Sequence, residues 1–274
     1  MGTEAWGLAE EAARAARVEV RPLGEIADAD RILDVMIATW GRHQLIPREM
    51  LRALQGSGNL PHGAFRGEDM VGYVLGWMGD DPDDAIHVHS HMLAVVPAVR
   101  EGGVGYALKL AQRAAALDAG AHVVRWTFDP MQSKNAHFNM NKLGTTADRF
   151  HRHYYGDMTD VLNRGERTDR LEARWDLDRA PGPRRPAHGA GATILRNVDG
   201  RPVAGHGPAK PTARVETVGD YPALREADRG LASAWRDAVA DALEACRGEG
   251  MVVVGFDSRH RDAPAYLLGP PGDA

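Results

Sequence analysis

One segment, in which a strand leads through a glycine-rich turn into a helix, constrains this chain more than any other. Residues 87–110, HVHSHMLAVVPAVREGGVGYALKL, carry histidines at every second position before Gly102, Gly103 and Gly105. Glycines at a helix start let backbone amides approach an anion, and the positive end of the helix dipole favours negative charge there. The segment therefore predicts an α/β protein with a candidate phosphate-binding turn.

The turn differs from both common nucleotide-binding motifs. No Lys-Ser or Lys-Thr pair follows the glycines, as a P-loop requires, and the third glycine of the dinucleotide motif is missing after Gly105. Taken alone, the glycines could bind phosphate or simply form a tight turn. Both alternatives stay open at this point.

Composition limits the class of protein. The chain has 274 residues, of which 43% are hydrophobic and 26% charged, which suits a globular protein with a full core. A net charge of −5 argues against a nucleic-acid partner. The longest apolar runs fall far short of the roughly 20 residues of a membrane helix. With the single cysteine Cys246, and with an N-terminal segment that matches no secretory signal, we expect a cytoplasmic protein without a membrane partner.

The hydrophobic periodicity predicts strands and helices along the whole chain. Residues 179–211 are rich in Pro and Gly and are predicted to be a linker that includes one short hairpin. A strand, a helix and two strands follow, so we expect a catalytic domain over 1–178 and a C-terminal extension over 212–274. The predicted elements of the first domain are helices at 4–17, 28–41, 47–54, 104–119 and 134–144, and strands at 18–23, 63–66, 70–79, 87–95, 122–128 and 170–177.

Arg100, Gly103 and Gly105 match the Gln/Arg-x-x-Gly-x-Gly/Ala signature of the GNAT superfamily of CoA-dependent N-acyltransferases. The order of elements over residues 18–178 is similar too. The resemblance implies a GNAT fold, in which splayed strands of a mixed central sheet are flanked by helices, and it implies acetyl-CoA as the acyl donor. Three further segments resemble a group of predicted bacterial acetyltransferases: Ser90–Met92, Trp126–Pro130 and Asn135–Gly144.

The same resemblance implies where acetyl-CoA binds. Backbone amides of the turn would wrap the pyrophosphate, and the end of the preceding strand would bind the pantetheine arm through its backbone. Asn135, or Ser133 by its spacing to Gly144, would contact the pantetheine from the next helix. The implied cofactor residues are Leu93, Ala94, Val95, Arg100, Glu101, Gly102, Gly103, Val104, Gly105, Tyr106, Ser133 and Asn135.

The histidines permit three interpretations. Strict alternation along a strand predicts that His87, His89 and His91 share one face with Leu93 and Val95. They could be structural residues, either buried and hydrogen-bonded or partly exposed. A metal site is disfavoured, because the outer two would lie roughly 13 Å apart, too far to converge on one ion, so no metal is expected.

A catalytic role is the third interpretation. Acyl transfer to an amine requires the neutral amine, and an imidazole with a pKa near 6.5 suits proton removal. The segment HSHMLAVVPAVREGGVG resembles that of the arylalkylamine acetyltransferases, which implies His91 as general base and His89 as a relay through water. Relatives carry a tyrosine acid where this chain has Met140, and Tyr154 or Tyr155 could replace it.

The sequence thus predicts a bacterial N-acetyltransferase that transfers acetyl directly to a primary amine of a small molecule. One alternative is succinyl-CoA or another short donor and an amino-acid acceptor, with Arg42, Arg125 or Lys142 binding the donor carboxylate. Another is a CoA-binding module without turnover. A further alternative assigns the helix LASAWRDAVADAL to a homodimer or partner contact.

Overall fold

The computed structural model describes residues 2–42, 45–59, 61–157, 165–183, 191–205 and 211–273. The expected α/β class is confirmed, because mixed sheets and helices alternate along these ranges. Two compact units form: residues 2–126 with 176–178, and residues 127–157, 165–175 and 179–273. None of the helices within the described ranges is long and apolar enough to cross a membrane.

The first unit contains a sheet with the strand order β1-β2-β3-β4-β5. Neighbouring strands from β1 to β4 are antiparallel, whereas β5 is parallel to β4. Its elements are α1 (Gly2–Ala16), β1 (Glu19–Pro22), α2 (Ile26–Trp40), α3 (Arg48–Gly56), β2 (His62–Arg66), β3 (Asp69–Asp81), β4 (Ala85–Val95), α4 (Val104–Asp118) and the start of β5 (Val123–Phe128).

Two apolar cores cover the faces of this sheet. Tyr73 and Leu75 of β3 pack with α2 and α3, whereas Val74 packs with α1 and α4. This is the alternation that a strand buried on both faces requires. The helices predicted at 4–17, 28–41, 47–54 and 104–119 are therefore confirmed, and each is held by its apolar face.

Strand β4 departs from the regular alternation that the sequence predicts. Leu75 pairs with Met92 and the next residue, Gly76, pairs with Ser90, so His91 is the extra residue of a β-bulge. Leu93 packs toward α1 and α4, while Met92 packs toward α2 and α3.

Of the predicted common face, the three histidines His87, His89 and His91 are confirmed, whereas the placement of Leu93 and Val95 on it is wrong. The extra residue reverses the alternation, so that Leu93 and Val95 leave the face on which His89 and His91 lie. A strand with one inserted residue keeps its side-chain period of two only on each side of the insertion.

The second unit contains the strand order β7-β6-β11-β12-β10-β8-β9. Strands β11 and β6 pair through Val253 and Ala147, so the C-terminal strands extend the sheet of β6 and β7. The predicted C-terminal strand, helix and two strands are confirmed, with the helix divided in two. The elements are α5 (Ser133–His137), β6 (Thr146–His151), β7 (Arg170–Asp176), β8 (Ala192–Val198), β9 (Arg201–Ala204), β10 (Ala213–Glu216), α6 (Tyr221–Ala227), α7 (Arg229–Gly248), β11 (Val252–Asp257) and β12 (Ala265–Gly269).

Two further predictions concern this unit. The hairpin expected before residue 206 forms from β8 and β9. The helix expected at 134–144 is instead the short α5 followed by a π-helical segment, Phe138–Leu143, which ends at Gly144 with a φ of 75°. Residues 184–190 and 206–210 of the predicted linker lie outside the described residues, and the domain boundaries at 178 and 211 stay predictions.

Candidate active site

Three aromatic side chains form a cluster at the bulge of β4. Trp77 of β3 pairs with His89, and its ring centroid lies 5.0 Å from that of His89 and 4.8 Å from that of His91. The two imidazole centroids are 5.7 Å apart. Trp77 and His89 are partly buried, and His91 is exposed. The structure thus brings the two predicted catalytic histidines together against one indole.

Desolvation lowers the pKa of His91 from its ordinary value. His91 as a whole residue is exposed, but Trp77 covers one side of its imidazole and keeps water from that side. A lowered pKa keeps the ring neutral at pH 7. His91 is therefore in the form that accepts a proton.

His87 has different surroundings, four residues earlier in the strand. It is only 7% exposed, and its Nδ1 donates a hydrogen bond to the carbonyl of Ala85 at 3.2 Å. Because a carbonyl can only accept, the bond defines the tautomer. His87 is thus a buried, hydrogen-bonded structural histidine, which is one of the open sequence interpretations.

The glycine turn lies between β4 and α4. Gly103 has a φ of 84° and is the N-cap of α4, which has no side-chain cap. The amide of Ala107 bonds to the carbonyl of Gly103 at 3.0 Å, so the amides of Val104, Gly105 and Tyr106 precede the first intrahelical hydrogen bond. Glu101, Gly102 and Gly103 are exposed. The turn can accept an anion at the positive end of the helix.

The turn and the end of β4 are neighbours. A Cβ atom on Gly105 would lie 3.6 Å from Leu93 Cδ2 and 3.9 Å from Val95 Cγ2. Arg100 extends along the same strand end, and its Nε donates to the carbonyl of Val95 at 3.2 Å. The predicted cofactor residues of the first unit therefore lie next to one another. Ala94 and Val104 are buried, and the others reach the surface.

Strands β4 and β5 pair over a short distance. Within the described residues the pairs between them are Val88 with Val124 and His89 with Arg125, although β4 continues to Val95. The strands therefore part next to His89, as the expectation of splayed strands requires. The pairing ends at His89, one of the two neighbouring imidazoles.

The second unit contains the other predicted cofactor and acid residues. The hydroxyl of Ser133 donates to the carbonyl of Val218 at 2.8 Å, and Asn135 is exposed on α5. Met140 is buried. Tyr155 shares a hydrogen bond with Thr127 at 3.1 Å, and burial raises the pKa of Tyr154.

The candidate partners of a donor carboxylate are placed differently from one another. Arg125 is buried and its Nε lies 2.5 Å from the carboxylate of Asp84, which is buried as well. Arg42 and Lys142 are exposed. Across the described residues, no group of three or more His, Cys, Asp or Glu side chains is arranged to hold a metal ion.

Two residues near the imidazoles were missed by the sequence argument. Trp77 lies beside the imidazoles because it pairs with His89, and this register of β3 against β4 cannot be deduced from the sequence. Lys109 is buried in α4 and its Nζ lies 2.9 Å from Ser90 Oγ. A lysine between two leucines in an apolar helix is the signal that could have indicated it.

The sequence matches no family model and no curated protein. Among solved structures, Naa20 of Chaetomium thermophilum, solved with a bisubstrate analogue, is similar: identity is 22%, the TM-score is 0.47, and 59% of this chain and 88% of that chain are covered. A proposed acetyltransferase of Salmonella typhimurium, yncA with its cofactor acetyl-CoA, has 18% identity, a TM-score of 0.47, and coverage of 61% and 98%. The ribosomal-protein-S18-alanine N-acetyltransferase of Escherichia coli has 14% identity, a TM-score of 0.45, and coverage of 60% and 96%. Similarity at this level assigns no activity to this chain.

Proposed function

We propose that this chain is a CoA-dependent N-acyltransferase of the GNAT type, which transfers acetyl from acetyl-CoA to a primary amine of a small molecule. The observation that supports it most is the junction at β4. There an exposed, uncapped helix start lies beside the end of a strand that carries two neighbouring imidazoles. An anion site and a proton acceptor are thereby combined on one strand and the turn that follows it.

The residues present fit acetyl-CoA. Amides of Val104, Gly105 and Tyr106 would hold the pyrophosphate at the start of α4, and the backbone of Leu93 to Val95 would hold the pantetheine arm where β4 leaves β5. Ser133 and Asn135 stay proposed pantetheine contacts. The donor supplies an activated thioester carbonyl.

His91 would accept the proton that the attacking amine loses, directly or through water and His89. The amine nitrogen forms the new bond to the acyl carbon, and the bond from that carbon to sulfur breaks. The sulfur leaves as the thiolate of CoA, and the proton held by His91 returns to solvent or to that thiolate. The lowered pKa of His91 supports this role, because the ring is already neutral when the amine arrives.

A second candidate function is a CoA-binding module without turnover. The burial of Met140, at the position where relatives carry a tyrosine acid, favours it. For the succinyl-CoA alternative, the ion pair of Arg125 with Asp84 already uses one of the three basic candidates.

Calorimetric titration with acetyl-CoA tests donor binding, and two glycines of α4 provide a matched pair of variants. Gly103 at the start and Gly120 just after the end have φ values of 84° and 77°, so alanine strains the backbone at both by about 1 kcal/mol. We expect Gly103→Ala to weaken acetyl-CoA binding at least about tenfold, since it disturbs the amides of the turn, and Gly120→Ala to leave binding unchanged. Equal affinities of both variants and wild type, or no binding by any of them, would refute the proposed site.

A further inference from the structure

Lys109 is a buried amine that the proposed chemistry does not use. Its Nζ donates to Ser90 Oγ at 2.9 Å and to Gln112 Oε1 at 3.0 Å, and it lies 3.5 Å from the ring centroid of Trp126. The residue is 2% exposed. These three contacts are all with neutral groups. Desolvation accordingly lowers the pKa of Lys109 well below its ordinary value.

The contacts of Lys109 join helix α4 to strands β4 and β5 where the pairing of these two strands ends. Ser90 lies in β4 between the two imidazoles, directly before the extra residue of the bulge. Trp126 follows Arg125, the last residue of β5 that pairs with β4 in the described part of the ladder. Lys109 itself belongs to α4, the helix that begins at the glycine turn.

The backbone around Ser90 is tightly packed. A Cβ atom on Gly76, the residue opposite Ser90, would lie 2.5 Å from the carbonyl oxygen of His89 and 3.1 Å from Gln112 Nε2. Such close approach leaves β3 little freedom to shift. Strand β4 is therefore held at Ser90 in two ways, by close packing against β3 and by the hydrogen bond from Lys109.

We infer that Lys109 is a positioning residue, which holds the bulge of β4 against α4 through Ser90 and so sets the places of His89 and His91 relative to the glycine turn. Its catalytic consequence rests on the proposed function. The geometric claim does not, because it concerns the imidazoles of the free protein. A buried amine must be desolvated whether or not it is charged, whereas an apolar side chain of equal length would fill the same space without that cost.

The test uses three substitutions and one matched control. Ser90→Thr keeps the hydroxyl, and Ser90→Val, which has the shape of threonine, removes it. Lys109→Met removes the amine at nearly constant length. The control is Thr217→Val in the second unit, which also removes a buried hydroxyl, one with no hydrogen-bond partner among the described residues. If valine at position 90 prevents folding, Ser90→Ala supplies the same comparison.

The first readout is the set of histidine ring signals in the NMR spectrum of the free protein. We expect the signals of His89 and His91 to move in Ser90→Val and Lys109→Met, to move no further in the double variant, and to stay in place in Ser90→Thr and Thr217→Val. Unmoved signals in Ser90→Val and Lys109→Met, or additive shifts in the double variant, would overturn the inference. This readout needs no substrate, so it decides the inference even if the chain turns over no amine.

The second readout is turnover with the best amine, if the proposed function holds. Displacement of a base by a fraction of an ångström to 1 Å should lower kcat by about 10- to 100-fold in Ser90→Val and Lys109→Met, with the Kd of acetyl-CoA within about twofold of wild type. Ser90→Thr keeps the hydroxyl and should therefore have the kcat of wild type. Loss of acetyl-CoA binding together with kcat, or full kcat in both variants, would contradict a positioning role. If wild type itself is inactive, the proposed function fails and the NMR result stands alone.

Discussion

The two ends of β4 place the same residue type in opposite surroundings. At its start His87 is buried and bonded to a carbonyl, close in sequence to the buried pair of Asp84 with Arg125. At the bulge His91 is exposed, in tilted contact with the ring of Trp77, and close to the point where the pairing of β4 with β5 ends. The difference teaches that the register of a strand, rather than the type of its residues, decides which histidines are available for chemistry.

The largest expected difference between the two ends is in activity. His91→Ala should lower kcat/KM by about 10²- to 10⁴-fold, which is the usual contribution of a general base. His87→Gln should leave kcat/KM within a few fold and lower the Tm, because it disturbs a buried hydrogen bond. Steady-state kinetics and thermal unfolding of both variants measure this. Full activity in His91→Ala would remove the base assignment, and a greater loss in His87→Gln would reverse the comparison.

Two buried basic side chains sharpen the comparison through stability. Arg125→Met leaves the buried carboxylate of Asp84 without this partner, so we expect a loss of about 3 to 5 kcal/mol in the free energy of unfolding. Lys109→Met removes the donor to Ser90 Oγ and Gln112 Oε1 but breaks no ion pair, so we expect a smaller loss of about 1 to 3 kcal/mol. Urea denaturation of both variants measures the difference. Equal losses would contradict the distinction between a side chain that neutralises a buried charge and one that only positions neutral groups.

The pH profile tests the bulge end by itself. Because the pKa of His91 is lowered, kcat/KM calculated on the neutral form of the amine should stay high as the pH falls through 6.5 and decline only at lower pH, where the base becomes protonated. Trp77→Ala admits water to the imidazole, so the acidic limb should move up toward about pH 6.5. Trp77→Phe keeps an aromatic neighbour and should leave the limb near its wild-type position. An unchanged limb in Trp77→Ala would show that the indole does not desolvate His91.

The smallest expected effect concerns the second unit. Thr217 Oγ1 is buried without a hydrogen-bond partner among the described residues. Thr217→Val should therefore raise the free energy of unfolding by up to about 1 kcal/mol, without changing kcat/KM. A clear loss of stability would mean that this hydroxyl has a partner in solution.

Local signals were sufficient for much of the fold. The glycines around Gly103 define the start of α4 because a positive φ and free amides are local properties, and the helices follow from apolar periodicity. The bulge at His91 could not be predicted, since it depends on how β3 pairs with β4. Trp77 and Lys109 join the site for the same reason: their contacts with His89, His91 and Ser90 are set by packing between distant segments.

The second half of the helix predicted at 134–144 differs from the prediction. Its residues have ordinary helical propensity, but after α5 the chain widens into a π-helical segment that buries Asn139, Met140 and Leu143. The C-terminal succession of strands and helices was visible in the periodicity. Its pairing with β6 was not, because sheet neighbours are chosen by long-range packing.

The most direct test of the central claim is the amine-dependent release of free thiol from acetyl-CoA by the purified wild-type protein, followed across a panel of primary amines at neutral pH. The account predicts that at least one amine accelerates thiol release well above the amine-free rate, and that His91→Ala loses this acceleration while still binding acetyl-CoA. Tight acetyl-CoA binding with no acceleration by any amine, or acceleration that survives intact in His91→Ala, would contradict it.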